Sequence, residues 1–149
     1  KAVQENDFEK ASKEISKISE DIKYLEDKFK KGLQESLDKA ISNKDEKAIY
    51  KALNFILAAE VQRRLDGTLI SINHFQKTKV LLVKTKKYLD LLTPSYSSDT
   101  QKNIEKAFNE AKKAIGNPGL FGVGAVPANV ELLKKTNKEL LGLIYNFDK

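Results

Sequence analysis

FEKASKEISKISEDIKYLEDKFKKGLQESLDKAI, residues 8–41, decides the fold class. Within it Phe8, Ala11, Ile15, Ile18, Ile22, Leu25 and Phe29 recur at alternating spacings of three and four, with mostly Lys, Glu, Asp and Ser between them. That is an apolar seam on a helix. After Phe29 the heptad places Gly32 on the seam, and the stripe shifts to Leu33, Leu37 and Ile41. The reading predicts one long first helix over roughly residues 5–41, which needs partner helices to cover it.

Those partners follow along the chain. Asn43 is the expected N-cap of a second helix, with Asp45 and Glu46 near its positive end; its buried face would be Ala48, Ile49, Ala52, Leu53, Ile56, Leu57 and Val61, and Asp66-Gly67 would end it. A third segment, Thr68 to Leu92, projects two apolar faces, one with Leu81, Leu82 and Leu89, the other with Val80, Val83 and Leu91. It is therefore expected to be the buried central helix, its lysines extending stems over apolar surface to water. After the 93–98 loop, Ser98 and Gln101 form an expected capping box, and Ile104, Ala107, Phe108, Ala111 and Ile115 face inward. Pro127 can start a fifth helix. The expectation is a single all-α domain, residues 1–149, built as a bundle of about five helices.

Composition narrows the chemistry. With no Cys and one His among 149 residues, thiolate catalysis, disulfides and multi-histidine metal sites have no raw material. No cofactor or metal is expected, and no enzymatic activity. Alone on an apolar helix, His74 reads as a packed residue rather than a ligand. The serines of the 93–98 loop lack the strand-turn-helix setting of a nucleophile, and Gly116 to Gly124 lacks the Lys-Ser/Thr of a phosphate loop. That Gly-rich stretch holds Leu120, Phe121, Val123 and Val126. The favoured reading is an apolar plug on the end of the bundle; the functional reading makes Leu120 and Phe121 an exposed contact surface.

Net charge is +6 and uneven: residues 1–47 carry eleven Lys against twelve acids, whereas residues 48–149 carry sixteen Lys and Arg against nine acids. Between Gly67 and Leu89, Lys77, Lys79, Lys84, Lys86 and Lys87 occur with no acid among them, and Arg63 and Arg64 are the only two arginines. A solvated rim is the ordinary explanation. If the basic half binds a ligand, Arg63, Arg64, Lys77, Lys84, Lys86 and Lys87 are the candidate residues, and an anionic polymer is the candidate ligand. Nucleic acid is disfavoured, because Arg and exposed aromatic groups do not accompany the lysines.

In overall style the whole length resembles the ectodomains of Borrelia outer-surface lipoproteins: Lys-, Asn- and Ile-rich, Cys-free, with stretches such as EKASKEISKISEDIKYLEDKFKKGLQESLDKAI and ELLKKTNKELLGLI. No residue-specific motif carries the likeness, so it assigns no functional residues. The resemblance implies a lipidated Cys on a removed N-terminal tether, display on the outer membrane surface, and a role in adhesion or immune evasion. Its expected partners are a host or vector protein or a sulfated glycosaminoglycan, with membrane contact only through the anchor. A start at Lys1 rather than Met fits removal of an upstream segment. The alternative is an intracellular or phage-borne helical module that binds protein or nucleic acid.

Overall fold

The computed structural model describes residues 2–5 and 7–147. Those residues form seven α-helices and no strand, so the chain is all-α. They fall into two compact units, Lys1–Ala59 and Glu60–Lys149, with one helix running through the boundary.

In the first unit the expected long helix is three short ones: α1 (Phe8–Ser16), α2 (Ser19–Lys28) and α3 (Leu33–Ser42). Asn6, inside the expected span, lies outside the described residues. The first break falls where Ser16 Oγ donates to the carbonyl of Lys13 and Ser19 Oγ to that of Ser16, local bonds that compete with helix propagation. The second falls at Gly32, whose φ of +79° is left-handed. Breaking the helix lets the seam cover itself. Ala11, Ile15, Ile22, Leu25, Leu33, Leu37 and Ala40 are buried together with Ile49, Ala52 and Ile56 from the start of α4 (Glu46–Ile70). Ile18, at the first break, is partly lifted out to 38% exposure.

The N-terminal cap of α4 is Asp45 rather than Asn43, because Asp45 Oδ1 accepts from Ala48 N at 3.0 Å. Nor does Asp66-Gly67 end this helix: Gly67 has no positive φ, and α4 continues to Ile70. A Cβ on Gly67 would sit 3.1 Å from Leu81 Cδ1, so this glycine permits close approach of the next helix.

In the second unit, α5 (Phe75–Leu92) starts seven residues later than expected at Thr68. The Ser71–Thr78 pair braces the intervening turn, Thr78 Oγ1 donating to the carbonyl of Ser71 at 2.5 Å. The expected two-faced, buried helix is corrected as well. Its buried face is Thr78, Leu82, Thr85, Leu89 and Leu92; Val80, Val83 and Leu91 are exposed at 51%, 53% and 63%. Threonine explains the difference. Thr85 Oγ1 donates to the carbonyl of Leu81, so its polar atom is satisfied within the helix and its methyl packs like an apolar group.

A single 3₁₀ turn (Thr93–Ser95) leads to α6 (Ser98–Ala114). The N-cap is Ser97, one residue before the expected Ser98, and Gln101 reaches back to the carbonyl of Tyr96 at 2.9 Å. Packed along α6 is α7 (Val130–Ile144). Ala107, Ala111 and Ala114 of α6 are nearly inaccessible, and such small side chains let helix axes approach closely. The start of α7 is set by Asn129, whose Oδ1 accepts from Leu132 N, not by Pro127. Buried Asn137 donates from Nδ2 to the carbonyl of Leu65 at 3.0 Å and to Thr68 Oγ1 at 3.2 Å, tying α7 to the end of α4. The helix stops at Ile144, and Asp148 and Lys149 lie outside the described residues.

Candidate functional site

Two features of the second unit present chemistry to solvent. The first is the segment joining α6 to α7, which folds as a small hairpin rather than a plug. Asn117 and Val126 exchange backbone hydrogen bonds of 2.8 and 2.7 Å, and Leu120 and Val123 exchange bonds of 3.1 and 3.0 Å. Between the inner pair, Phe121 and Gly122 have φ of +51° and +85°, the signs demanded by a tight two-residue type I′ turn. Gly116 and Gly119 are also left-handed, and a Cβ at either would collide with the carbonyl oxygen of Val126 or Val123 across the hairpin.

The expected plug is therefore overturned: Leu120, Phe121, Val123 and Val126 are 75%, 99%, 79% and 56% exposed. The reason is geometric. A plug needs its side chains turned inward, and the type I′ turn fixes the backbone so that Phe121 stands outward at the tip. No charged residue occurs between Gly116 and Val130, so the projection is uncharged throughout.

The second feature is a cleft of about 650 Å³ where α5 and α6 meet only sparsely. Its floor is Phe75, Leu82, Val83, Phe108 and Ile115, and its rim is Lys79, Lys86, Lys87 and Lys112. No carboxylate is among its lining residues. The Lys79 ammonium lies 5.9 Å from the Phe75 ring centre and that of Lys112 5.8 Å from the Phe108 ring centre, at the outer range of cation–π attraction.

The basic residues singled out from sequence do not converge. Arg64 is buried, its guanidinium bonded to the Glu60 carboxylate and lying 4.1 Å over the Tyr88 ring. Arg63 donates to the same carboxylate at 2.9 and 3.2 Å. Lys86 pairs with Asp90. Lys86 and Lys87 line the cleft, Lys77 lines a shallow hollow with His74 and Pro118, and Lys84 is exposed outside the cleft. His74 is exposed just before α5, not packed as expected.

In the sequence Lys79 stands in the acid-free lysine run before Leu89, and nothing there joins it to Lys112. The signal was faint: Phe75, Lys79, Lys86 and Phe108, Lys112, Ile115 each share a helix face at spacings of three, four or seven, yet only the fold sets the two faces opposite one another.

Two phenols are buried enough to shift. Tyr96 donates to the carbonyl of Ile144 at 2.5 Å and stacks on Phe147; burial, then the neighbouring Tyr145, raises its pKa well above the ordinary range. Tyr145, donating to Gln62 Oε1 at 2.8 Å, is pushed up to about 12 by burial and then by Asp66. Both act as structural hydrogen-bond donors.

Among the described residues, no group of three or more His, Asp or Glu is placed to hold a metal ion, and no helix is long and apolar enough to cross a membrane. No family model, curated protein or solved structure matches the chain.

Proposed function

We propose that this chain is a non-enzymatic binding domain that presents the 116–127 hairpin to a protein partner, in the manner of a bacterial surface-lipoprotein ectodomain acting on a host or vector component. The observation that carries the reading is Phe121: a bulky residue at φ +51° and 99% exposed. Left-handed backbone costs an ordinary side chain about 1–2 kcal/mol, and burial returns nothing to Phe121 in the isolated domain. Strain of this kind clusters at sites of function, and exposed aromatic anchors on rigid supports are the groups that carry interface energy. The style-level likeness to Borrelia outer-surface lipoproteins supplies the cellular setting: display on the outer membrane through a lipid anchor, with a role in adhesion or immune evasion. The rival setting is an intracellular or phage-borne interaction module, which would use the same hairpin.

The test is a binding panel of purified matrix, complement and tick salivary proteins against the parent domain and Phe121→Asn. Asn suits the left-handed turn, so the variant keeps the hairpin and loses the ring. The reading expects at least one saturable partner whose affinity falls about tenfold or more in the variant. Absence of any partner, or equal binding by both proteins, would contradict it.

A further inference from the structure

We propose that the cleft between α5 and α6 is a binding site for a single-chain anionic amphiphile of the long-chain fatty-acid type. The site is separate from the hairpin tip, and the proposal does not depend on the function assigned to that tip.

The cleft has two complementary halves, a lysine rim and an apolar floor. Lys79 and Lys112 come from opposite helices, each with its ammonium beside an aromatic ring of its own helix, Phe75 and Phe108. An anionic head between them meets positive charge from both sides, with Lys87 adding to the same rim. No carboxylate in the lining opposes it. Beneath the rim, the partly exposed Phe75 and the half-exposed Val83 offer an apolar wall, so an alkyl tail laid there removes apolar surface from water. A volume near 650 Å³ falls within the range of pockets that hold one small organic ligand, roughly 300–1,000 Å³.

Other occupants use only one half. A sulfated polysaccharide would engage the lysines and leave the apolar wall bare; a neutral hydrocarbon would use the wall and gain nothing from the lysines. A one-chain carboxylate uses both, with the head at the rim and the tail on the floor.

The experiment is a fluorescence titration with dansyl-undecanoate below its micellar concentration, followed by displacement with palmitate and with the matching uncharged alcohol. It compares the parent domain, the Lys79→Glu/Lys112→Glu double variant, and Val83→Asp. A further double variant, Lys106→Glu/Lys138→Glu, makes the same charge change at exposed positions outside the cleft. All four substituted lysines are exposed, and circular dichroism verifies folding. The proposal expects saturable one-to-one binding, weakened about tenfold or more in the cleft variants and less than about threefold in the remote one, with palmitate displacing better than the alcohol. Absence of saturable binding would overturn it. So would equal binding by all variants, or a loss in the remote variant as large as in the cleft variants, which would reduce the effect to net charge.

Discussion

The guanidinium of Arg64 lies 4.1 Å over the ring of Tyr88 and donates from Nη2 to its hydroxyl at 3.1 Å. The same group holds the carboxylate and the backbone carbonyl of Glu60. One buried cation thus joins α4 to α5. A positive charge spent this way is structural: truncation leaves Glu60 partly unpaired and a ring face uncovered. Arg64→Ala is expected to cost about 2–4 kcal/mol in urea unfolding, and Tyr88→Phe about 1 kcal/mol. An Arg64→Ala variant as stable as the parent would show that the ion pair contributes nothing.

At the hairpin tip stability and function should part. Phe121→Asn removes a strained, solvated ring and installs the favoured Asn-Gly turn, so it should raise stability by up to about 1 kcal/mol. Gly119→Ala should do the opposite, because its Cβ would collide with the Val123 carbonyl across the hairpin, and the backbone hydrogen bonds there should open. Thermal melts of the two variants, run beside the parent, check both signs.

The α5 correction gives a paired measurement. Leu82 is 2% exposed and Val83 53%. Leu82→Ala should therefore cost about 2–4 kcal/mol, whereas Val83→Ala should stay within about 0.5 kcal/mol, as surface substitutions do. Equal costs would restore the two-faced helix that hydropathy alone suggests.

That contrast also marks what the sequence makes legible. Seam periodicity delivers the all-α class and most buried positions of α1 to α3 and α6, since a 3.6-residue period shows directly in residue type. It misses the helix breaks at Ser16–Ser19 and Gly32, because a seam reads the same whether its helix is straight or folded back on itself. Buried Thr78 and Thr85 are invisible to a hydropathy pattern, for their hydroxyls are satisfied only once the helix exists. The hairpin is missed for a related reason: Phe-Gly is a poor type I′ signal beside Asn-Gly, and apolar residues suggest burial. Lys112 joins Lys79 only through tertiary placement of α6 against α5.

Alkaline pH should destabilise the second unit. A phenol whose pKa is raised on folding, as Tyr145's is to about 12 from an unfolded value near 10, favours the folded state only while protonated. Its contribution is complete below about pH 10 and is lost as pH climbs through about 12. Urea midpoints should fall across that window in the parent and fall less in Tyr145→Phe. Parallel curves would remove Tyr145 from the account.

Because the candidate basic residues diverge, heparin retention should be weak, with elution at or below about 0.15 M salt. A Lys84/Lys86/Lys87 to Glu variant should elute only slightly earlier. Tight retention abolished by those substitutions would shift the contact surface to α5 and favour a sulfated glycosaminoglycan partner.

The central claim is that residues 117–126 form a preorganised hairpin displaying Phe121. Backbone ¹⁵N relaxation measures this without knowledge of the partner. The account predicts order parameters through the hairpin near the roughly 0.85 of a rigid backbone, close to those of α6 and α7, whereas values below about 0.6 at Leu120 to Val123 would show a flexible loop with no built contact and contradict it.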